Sequence, residues 1–377
     1  MALFLDFILT AGITITFILL FLIFKQGNKQ LPQLILSLFF AILLLISVNL
    51  YAAIHNLKVI FYISYIPHDI ARWILGPLLF LYIKSLFLKK EKLIRGSILH
   101  FIPALLHLIL ISIPSLVSNI NEQPVPGYLK IYYNYSSVGA NLSNAYTLFY
   151  LVVSYKLLSK YMKGIKSNYA NLGKNNVSWI NHLLISGSIV IGFDLIMNGY
   201  QSIFGRFVMH SEIFTLIAMI LFIAYLGYYG IHQPKILLPG FLLEKSHLTS
   251  SKKEKKTSSS INDAQFSQLK KRLEEILNNE KPYLDSELTL IKLAEFIPTT
   301  DKKLSALLNQ HMHISFYDII NKYRVEAVKE KITSSKAYKN YTLLGIGYEC
   351  GFSSKASFNR IFKKETGLSP SEYKKLH

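Results

Sequence analysis

Thiols are almost absent from this chain: Cys350 is the single cysteine in 377 residues, which excludes an internal disulfide. It falls in an apolar stripe, and that setting marks it as a small buried hydrophobe rather than a nucleophile. Acidic residues are also scarce, 22 Asp and Glu against 41 Lys and Arg, for a net charge of +19. There is no P-loop, no glycine-rich dinucleotide fingerprint and no Ser/His/Asp constellation, so neither a catalytic residue nor a cofactor is expected. Metal ligands are not expected either. His100 and His107 share a helix face without a thiolate or carboxylate neighbour, and His311 and His313 fall near a helix end, where solvent exposure accounts for them.

What the chain does have is apolar length. With 51% hydrophobic residues, 17% charged ones and a mean hydropathy of +0.32, it is too apolar for an ordinary soluble protein. The apolar residues gather in seven runs, near 3–24, 31–54, 69–88, 97–117, 138–159, 179–204 and 211–232. Each is about 20 residues long, enough for roughly 30 Å of hydrocarbon. The first run lacks the basic flank and small-residue cleavage site of a signal peptide.

Orientation follows from the loops, because lysine and arginine are retained on the cytoplasmic side. Lys25 and Lys29 follow the first run, Lys89, Lys90, Lys92 and Arg95 the third, and Lys160, Lys163, Lys166 and Lys174 the fifth; the other loops carry Lys58, Lys130 and Arg206. The N-terminus is therefore expected outside, and everything after the seventh run in the cytoplasm.

Polar residues inside such spans are expensive, so they line a cavity or pair between helices. In the expected orientation Asp69, Arg72, Asn141, Asn144, Asp194, Asn198 and Glu212 fall in the outer half. They are candidates for a signal pocket, and helix-to-helix pairing explains them equally well.

Residues 245–262 are rich in Ser and Lys with almost nothing to bury, and read as a tether reaching about 20–25 Å. Lys252, Lys253, Lys255 and Lys256 in it are candidates for leaning on anionic lipid headgroups, although a solvated linker is the simpler reading. From Asp263 onward helical periodicity returns, with Phe266, Leu269, Leu273, Ile276 and Leu277 on one stripe. In the stretch 288–312, Leu290, Leu293, Ala294 and Ile297 mark one short helix and Leu304, Leu307 and Leu308 a second. Thr300 is placed to cap the latter. A long helix follows over 316–332. Then Leu343, Leu344, Ile346 and Cys350 form a stripe that ends at Gly351, and a helix starting at Ser353 or Ser354 puts Phe358, Ile361 and Phe362 on one face. Lys355, Ala356, Asn359, Arg360 and Lys363 lie on the other. Gly367 stops that helix, and Ser369-Pro370-Ser371-Glu372 opens another with a capping box.

Ile346, Gly351-Phe352, Phe358, Arg360, Phe362-Lys363, Gly367, Ser369-Pro370 and Tyr373 resemble the second helix-turn-helix of the AraC/XylS family of bacterial transcription regulators. The stretch 288–312 resembles the first unit, with Pro298 where the family commonly has Gly. The helix with Tyr323-Arg324 and Ala327 resembles the family's connecting helix, and Gly347 departs from its usual Ala. The resemblance covers about 266–375 and says nothing of the apolar runs. It implies that Lys302, Lys303 and Ser305 of one recognition helix, and Lys355, Ala356, Ser357 and Asn359 of the other, face base edges, with Arg360 on phosphate or a base edge. For His311 and His313 it adds closeness to DNA as an alternative to solvent exposure. From Pro234 to the end there are 25 Lys and Arg against 16 Asp and Glu, which suits phosphate contact.

The expected fold is therefore all-α: a seven-helix transmembrane bundle over 1–234, a linker over 235–262, and a soluble domain over 263–377 of two helix-turn-helix units joined by a long helix. The expected activity is non-catalytic transcription regulation. Its partners are promoter double-stranded DNA and membrane lipid; RNA polymerase, a small-molecule or protein signal, and a second copy of the chain stay open. The competing reading is a transporter or membrane enzyme whose C-terminal domain contacts a protein or serves autoregulation. Such a body usually carries an internal repeat, and none is evident here.

Overall fold

The computed structural model describes residues 2–25, 31–86, 96–171, 178–204, 217–218, 220–223, 225, 263–334 and 341–376. The tether, Glu212 and most of the expected run over 211–232 lie outside the described residues, as do the loop cations Lys29, Lys89, Lys90, Lys92, Arg95, Lys174 and Arg206. Among the described residues the regular structure is helical, with one isolated antiparallel bridge between Tyr169 and Thr289. Two compact units emerge. One contains residues 1–158 and 177–249, the other 159–176 and 250–377.

The first unit opens with α1 (Ala2–Lys25), α2 (Leu31–Ile54) and α3 (Lys58–Ser85). α2 packs between the other two, burying Leu36, Phe40 and Leu43, and Asn49 donates to the Phe61 carbonyl and the Ser64 hydroxyl of α3. α3 starts well before the expected 69, since the apolar run from Val59 to Ile66 continues the helix upstream from Pro67 and Asp69. Next come α4 (Ile102–His107) and α5 (Ile113–Ile120), joined by a wide turn at Leu108–Ser112. Pro114 supplies no N–H, and a widened turn immediately before it is a common way for a helix to accommodate that loss. The short α6 (Gly127–Asn134) leads to α7 (Ser136–Lys166), and α8 (Ser178–Phe204) follows.

Among the described residues, four stretches are long and apolar enough to cross a membrane: Asp6–Lys25, Leu31–Ile54, Ser97–Ile120 and Ile180–Phe204. Their outward faces stay apolar, with Phe17, Ile109, Ile189 and Ile196 exposed, as on helices that meet lipid rather than water. α3 and α7 have the length, at 28 and 31 residues, but Asp69, Arg72 and Lys84 in one and Asn141, Ser143, Asn144 and Thr147 in the other make them more polar.

The second unit is a small helical domain. α9 (Asp263–Asn279) lays Phe266, Leu273 and Leu277 on a core shared with α10 (Leu290–Phe296), α11 (Asp301–Ala306) and α12 (Phe316–Ser334). α13 (Leu343–Glu349), α14 (Lys355–Thr366) and α15 (Pro370–Leu376) complete it through Ile346, Cys350, Phe352, Phe358, Ile361 and Phe362. The end of α7 and the residues after it belong to this unit too, and Ala170 is wholly buried in its core.

Candidate nucleic-acid interface

Each recognition helix starts where its sequence supplies a cap. Thr300 accepts from the Lys303 amide at the head of α11, and Ser354 accepts from the Ser357 amide at the head of α14. Both caps satisfy an amide that the helix cannot use, a gain of about 1 kcal/mol each. The helices preceding them are capped in the same way by Thr289 and Thr342. Between α13 and α14 the chain reverses at Gly351, whose φ of +85 lies in the left-handed region. The Ser369/Glu372 box is reciprocal, Ser369 N to Glu372 Oε2 at 2.7 Å and Glu372 N to Ser369 Oγ at 3.3 Å.

Gly347 has a physical reason for departing from alanine. A Cβ there would stand 3.0 to 3.2 Å from three ring atoms of Phe358, so the bare backbone lets the phenyl ring lie against α13. With Gly345 beside it, α13 is poor in intrinsic helix propensity and is held by packing.

The apolar sides of α11 and α14 face inward through Leu304, Leu307, Phe358, Ile361 and Phe362, which leaves the polar sides outside. Lys302, Lys303, Lys355, Ala356 and Asn359 are exposed; Ser305 and Ser357 are half-buried, Ser305 Oγ accepting from Asn309. Arg360 is differently engaged, its Nη2 donating to the Tyr317 hydroxyl of α12 at 2.8 Å. Nearby, Lys364 Nζ meets Asp318 Oδ1 at 2.9 Å. Burial pushes the Asp318 carboxyl up, but the hydrogen bonds from Ser315 and Lys364 outweigh it and hold the group below the usual range. These contacts fasten the second recognition helix to the start of the connecting helix. α12 has 19 residues, about 28 Å at 1.5 Å per residue.

Arg324 anchors the domain from within. It is 1% exposed and donates to the carbonyls of Tyr283 (2.8 Å), Asp285 (2.8 Å) and Ala170 (3.3 Å), and to Asn321 Oδ1 (3.4 Å). Burial lowers its pKa to about 10, partly countered by the Asp285 charge, and it remains cationic at neutral pH.

Of the seven polar residues expected in the outer pocket, the six that are described do not all fall in one constellation. Asn144 Nδ2 donates to Asp194 Oδ2 at 2.6 Å, and Asn198 Nδ2 donates to the Asp194 carbonyl at 2.8 Å. Asp69 instead meets His107 Nε2 at 3.1 Å and Ser112 Oγ at 2.7 Å. The Arg72 carbonyl accepts from Thr147, and Asn141 Oδ1 is buried without a hydrogen-bond partner among the described residues. The sequence does not single out His107 or Ser112 as a partner of Asp69: Pro114 signals a disturbed turn before it, but which helix that turn faces is not written locally. His100, which shares the expected face with His107, turns to Tyr150 OH at 2.8 Å.

Comparison with known proteins matches residues 293–376 to a helix-turn-helix domain family. An uncharacterized HTH-type transcriptional regulator of Staphylococcus aureus (strain COL) is 31% identical over 108 residues, 26% of this chain and 14% of the relative. One from strain MRSA252 matches equally, and an uncharacterized response regulatory protein of Staphylococcus epidermidis is 29% identical over 102 residues, 27% of this chain and 39% of the relative. The chain thus spans about a seventh of the length of the HTH-type regulators it matches. No solved structure matches it. The C-terminal part of the chain is an AraC-type helix-turn-helix domain.

Proposed function

We propose that this protein is a membrane-embedded, sequence-specific DNA-binding transcription regulator that couples a signal at the membrane to promoter binding. The observation that carries the reading is the pairing, on one rigid connecting helix, of two capped recognition helices whose polar faces point outward. The four apolar stretches support the membrane half. In this reading seven segments span the bilayer, a linker over 235–262 follows, and the domain over 263–377 binds DNA without catalysing a reaction. Lys302, Lys303, Ser305, Lys355, Ala356, Ser357 and Asn359 read base edges. Arg360, whose Nη2 bonds Tyr317, contacts phosphate or a base edge.

The test uses the intact protein in lipid nanodiscs and a duplex that it selects from a random-sequence pool. Lys355→Ala or Asn359→Ala should weaken binding to the selected duplex by about 1–3 kcal/mol, about fivefold to over a hundredfold, with little change on unrelated duplexes. Equal weakening on every sequence counts against base reading by these residues, and selection of no duplex at all removes the DNA-binding reading.

Topology is open to a separate check. With the N-terminus outside, reporters fused after Lys166 and after Lys256 read as cytoplasmic and one near Gln123 as external. A cytoplasmic reporter at Gln123 overturns the seven-span arrangement. An outer polar pocket built on Asp69, Arg72, Asn141, Asn144, Asp194, Asn198 and Glu212 would fall with it.

A further inference from the structure

The domain's core holds a piece of chain from far upstream. Two residues after the end of α7, Asn168 accepts from the Leu290 amide at 3.0 Å, Tyr169 bridges to Thr289, and the Ala170 amide donates to the Leu288 carbonyl at 3.4 Å. The Ala170 methyl is wholly buried, and its carbonyl accepts from Asn321 Nδ2 at 3.0 Å and Arg324 Nη1 at 3.3 Å. Asn171 Nδ2 reaches the Ser286 carbonyl, and Lys166 Nζ lies 5.7 Å from the centre of the Tyr317 ring. The strap over 167–171 is therefore seated on the edge that leads into α10.

That edge faces the side where DNA has to arrive. Thr289 is the cap of α10, and Asn168 and Leu290 line one groove with Lys302, Ser305 and Asn309 of the first recognition helix. In a docked helix-turn-helix the first helix crosses the phosphate backbone while the head of the second enters the groove. A strap lying against both occupies part of that approach.

The strap is also built to leave. Asn321 Nδ2 has a second acceptor in the Tyr317 carbonyl at 2.7 Å, and Arg324 Nη1 has one in Asn321 Oδ1 at 3.4 Å. Arg324 keeps Tyr283 and Asp285 through its other nitrogens, and the Leu290 amide belongs to a first helical turn, where water readily takes over. Undocking thus strands none of these buried donors, the condition under which a contact can have two states. Its upstream end continues without a break into α7, whose first 23 residues, 136–158, belong to the apolar unit.

We propose that the strap over 167–171 is a latch that holds the first helix-turn-helix unit off DNA, and that displacement of α7 by the membrane signal releases it. The proposal rests on the DNA-binding reading above. Tyr169→Cys/Thr289→Cys places two thiols across the bridge, where opposed Cα atoms lie about 4.5–5.5 Å apart, within disulfide range. The native thiol of Cys350 is buried and does not compete.

In the intact chain in nanodiscs, the oxidised pair should bind the selected duplex at least tenfold more weakly than the same protein after reduction; the lost Thr289 cap is common to both forms and cancels. Ala170→Arg, too large for the buried seat, should open the strap without an oxidant and bind about tenfold more tightly than the unmodified protein. Equal affinity of oxidised and reduced forms, or tighter binding when oxidised, overturns the latch and makes the strap a fixed part of the domain or of its DNA surface. Unchanged or weaker binding by Ala170→Arg, in protein whose domain resists protease as the unmodified one does, also overturns it. Failure of the thiols to join overturns the docked strap itself. Absence of binding by every form removes the DNA-binding reading and the latch together.

Discussion

Gly351→Ala lowers the stability of the C-terminal domain by about 2–5 kcal/mol, against about 1–2 kcal/mol for Gly367→Ala. The two glycines have nearly the same backbone, φ +85 and +79, so the left-handed conformation costs an alanine the same at both. Their surroundings differ. A Cβ at Gly367 would meet nothing within 4 Å, whereas at Gly351 it would strike the Tyr283 carbonyl and come within 2.8 Å of Arg324 Nε and 3.0 Å of the Leu284 carbonyl. The Tyr283 oxygen is held by the buried arginine, and backbone cannot step aside as the end of a flexible side chain can. The measurement is the urea midpoint for loss of protease resistance in the full chain. With a slope of about 1–3 kcal/mol per molar urea, the Gly351 substitution should move the midpoint by about 1–3 M. Equal shifts at the two positions would mean that φ alone matters and that the crowding around Gly351 relaxes.

Arg324→Met is the second large effect, about 3–5 kcal/mol, although methionine fills much of the same volume. Three backbone carbonyls now take hydrogens from the guanidinium. Ala170 keeps Asn321 and Asp285 keeps the Leu288 amide as donors, but the Tyr283 carbonyl loses its own inside the domain, and all three lose a charged donor. A stranded acceptor costs about 1–3 kcal/mol. Arg324→Lys restores a cation without the planar fork that reaches several carbonyls at once, so it should recover only part of the loss. The same protease-resistance midpoint reads both. A methionine variant as stable as the parent would show that the arginine is tolerated rather than required.

These two sites also show where sequence reasoning stops. Gly351, Gly367, Thr300, Ser354 and the Ser369/Glu372 box are legible because a turn or a cap is a local event, decided within four residues of chain. The stripe of α9 and the burial of Cys350 follow from periodicity for the same reason. Arg324 could be placed by resemblance, but its acceptors lie about 40 and 154 residues away, and nothing in the spelling of Tyr283 or Ala170 announces a carbonyl aimed at it. The strap is harder still. It enters the core through one methyl group and backbone hydrogen bonds, and neither leaves a periodic pattern. In the apolar half, run lengths locate helices well, yet the pairing of Asp69 with His107 and Ser112 depends on which helices are neighbours, a tertiary fact.

The lone thiol, finally, gives the molecule a built-in clock. Cys350 is fully enclosed, and burial pushes its pKa up to about 11 against a smaller downward pull from Lys331. While covered, a thiol with that pKa is ionised only about once in 10⁴ at pH 7 and meets no reagent; once uncovered it loses the burial that raised its pKa and reacts as an ordinary thiol. Alkylation therefore waits for the region around α13 and α14 to open, and in the fast-closing regime its rate is the opening equilibrium multiplied by the reactivity of an ordinary cysteine. Because the chain has no other cysteine, a mass shift on the whole protein, taken from intact cells without purification or an engineered label, reports how often the second helix-turn-helix unit breathes.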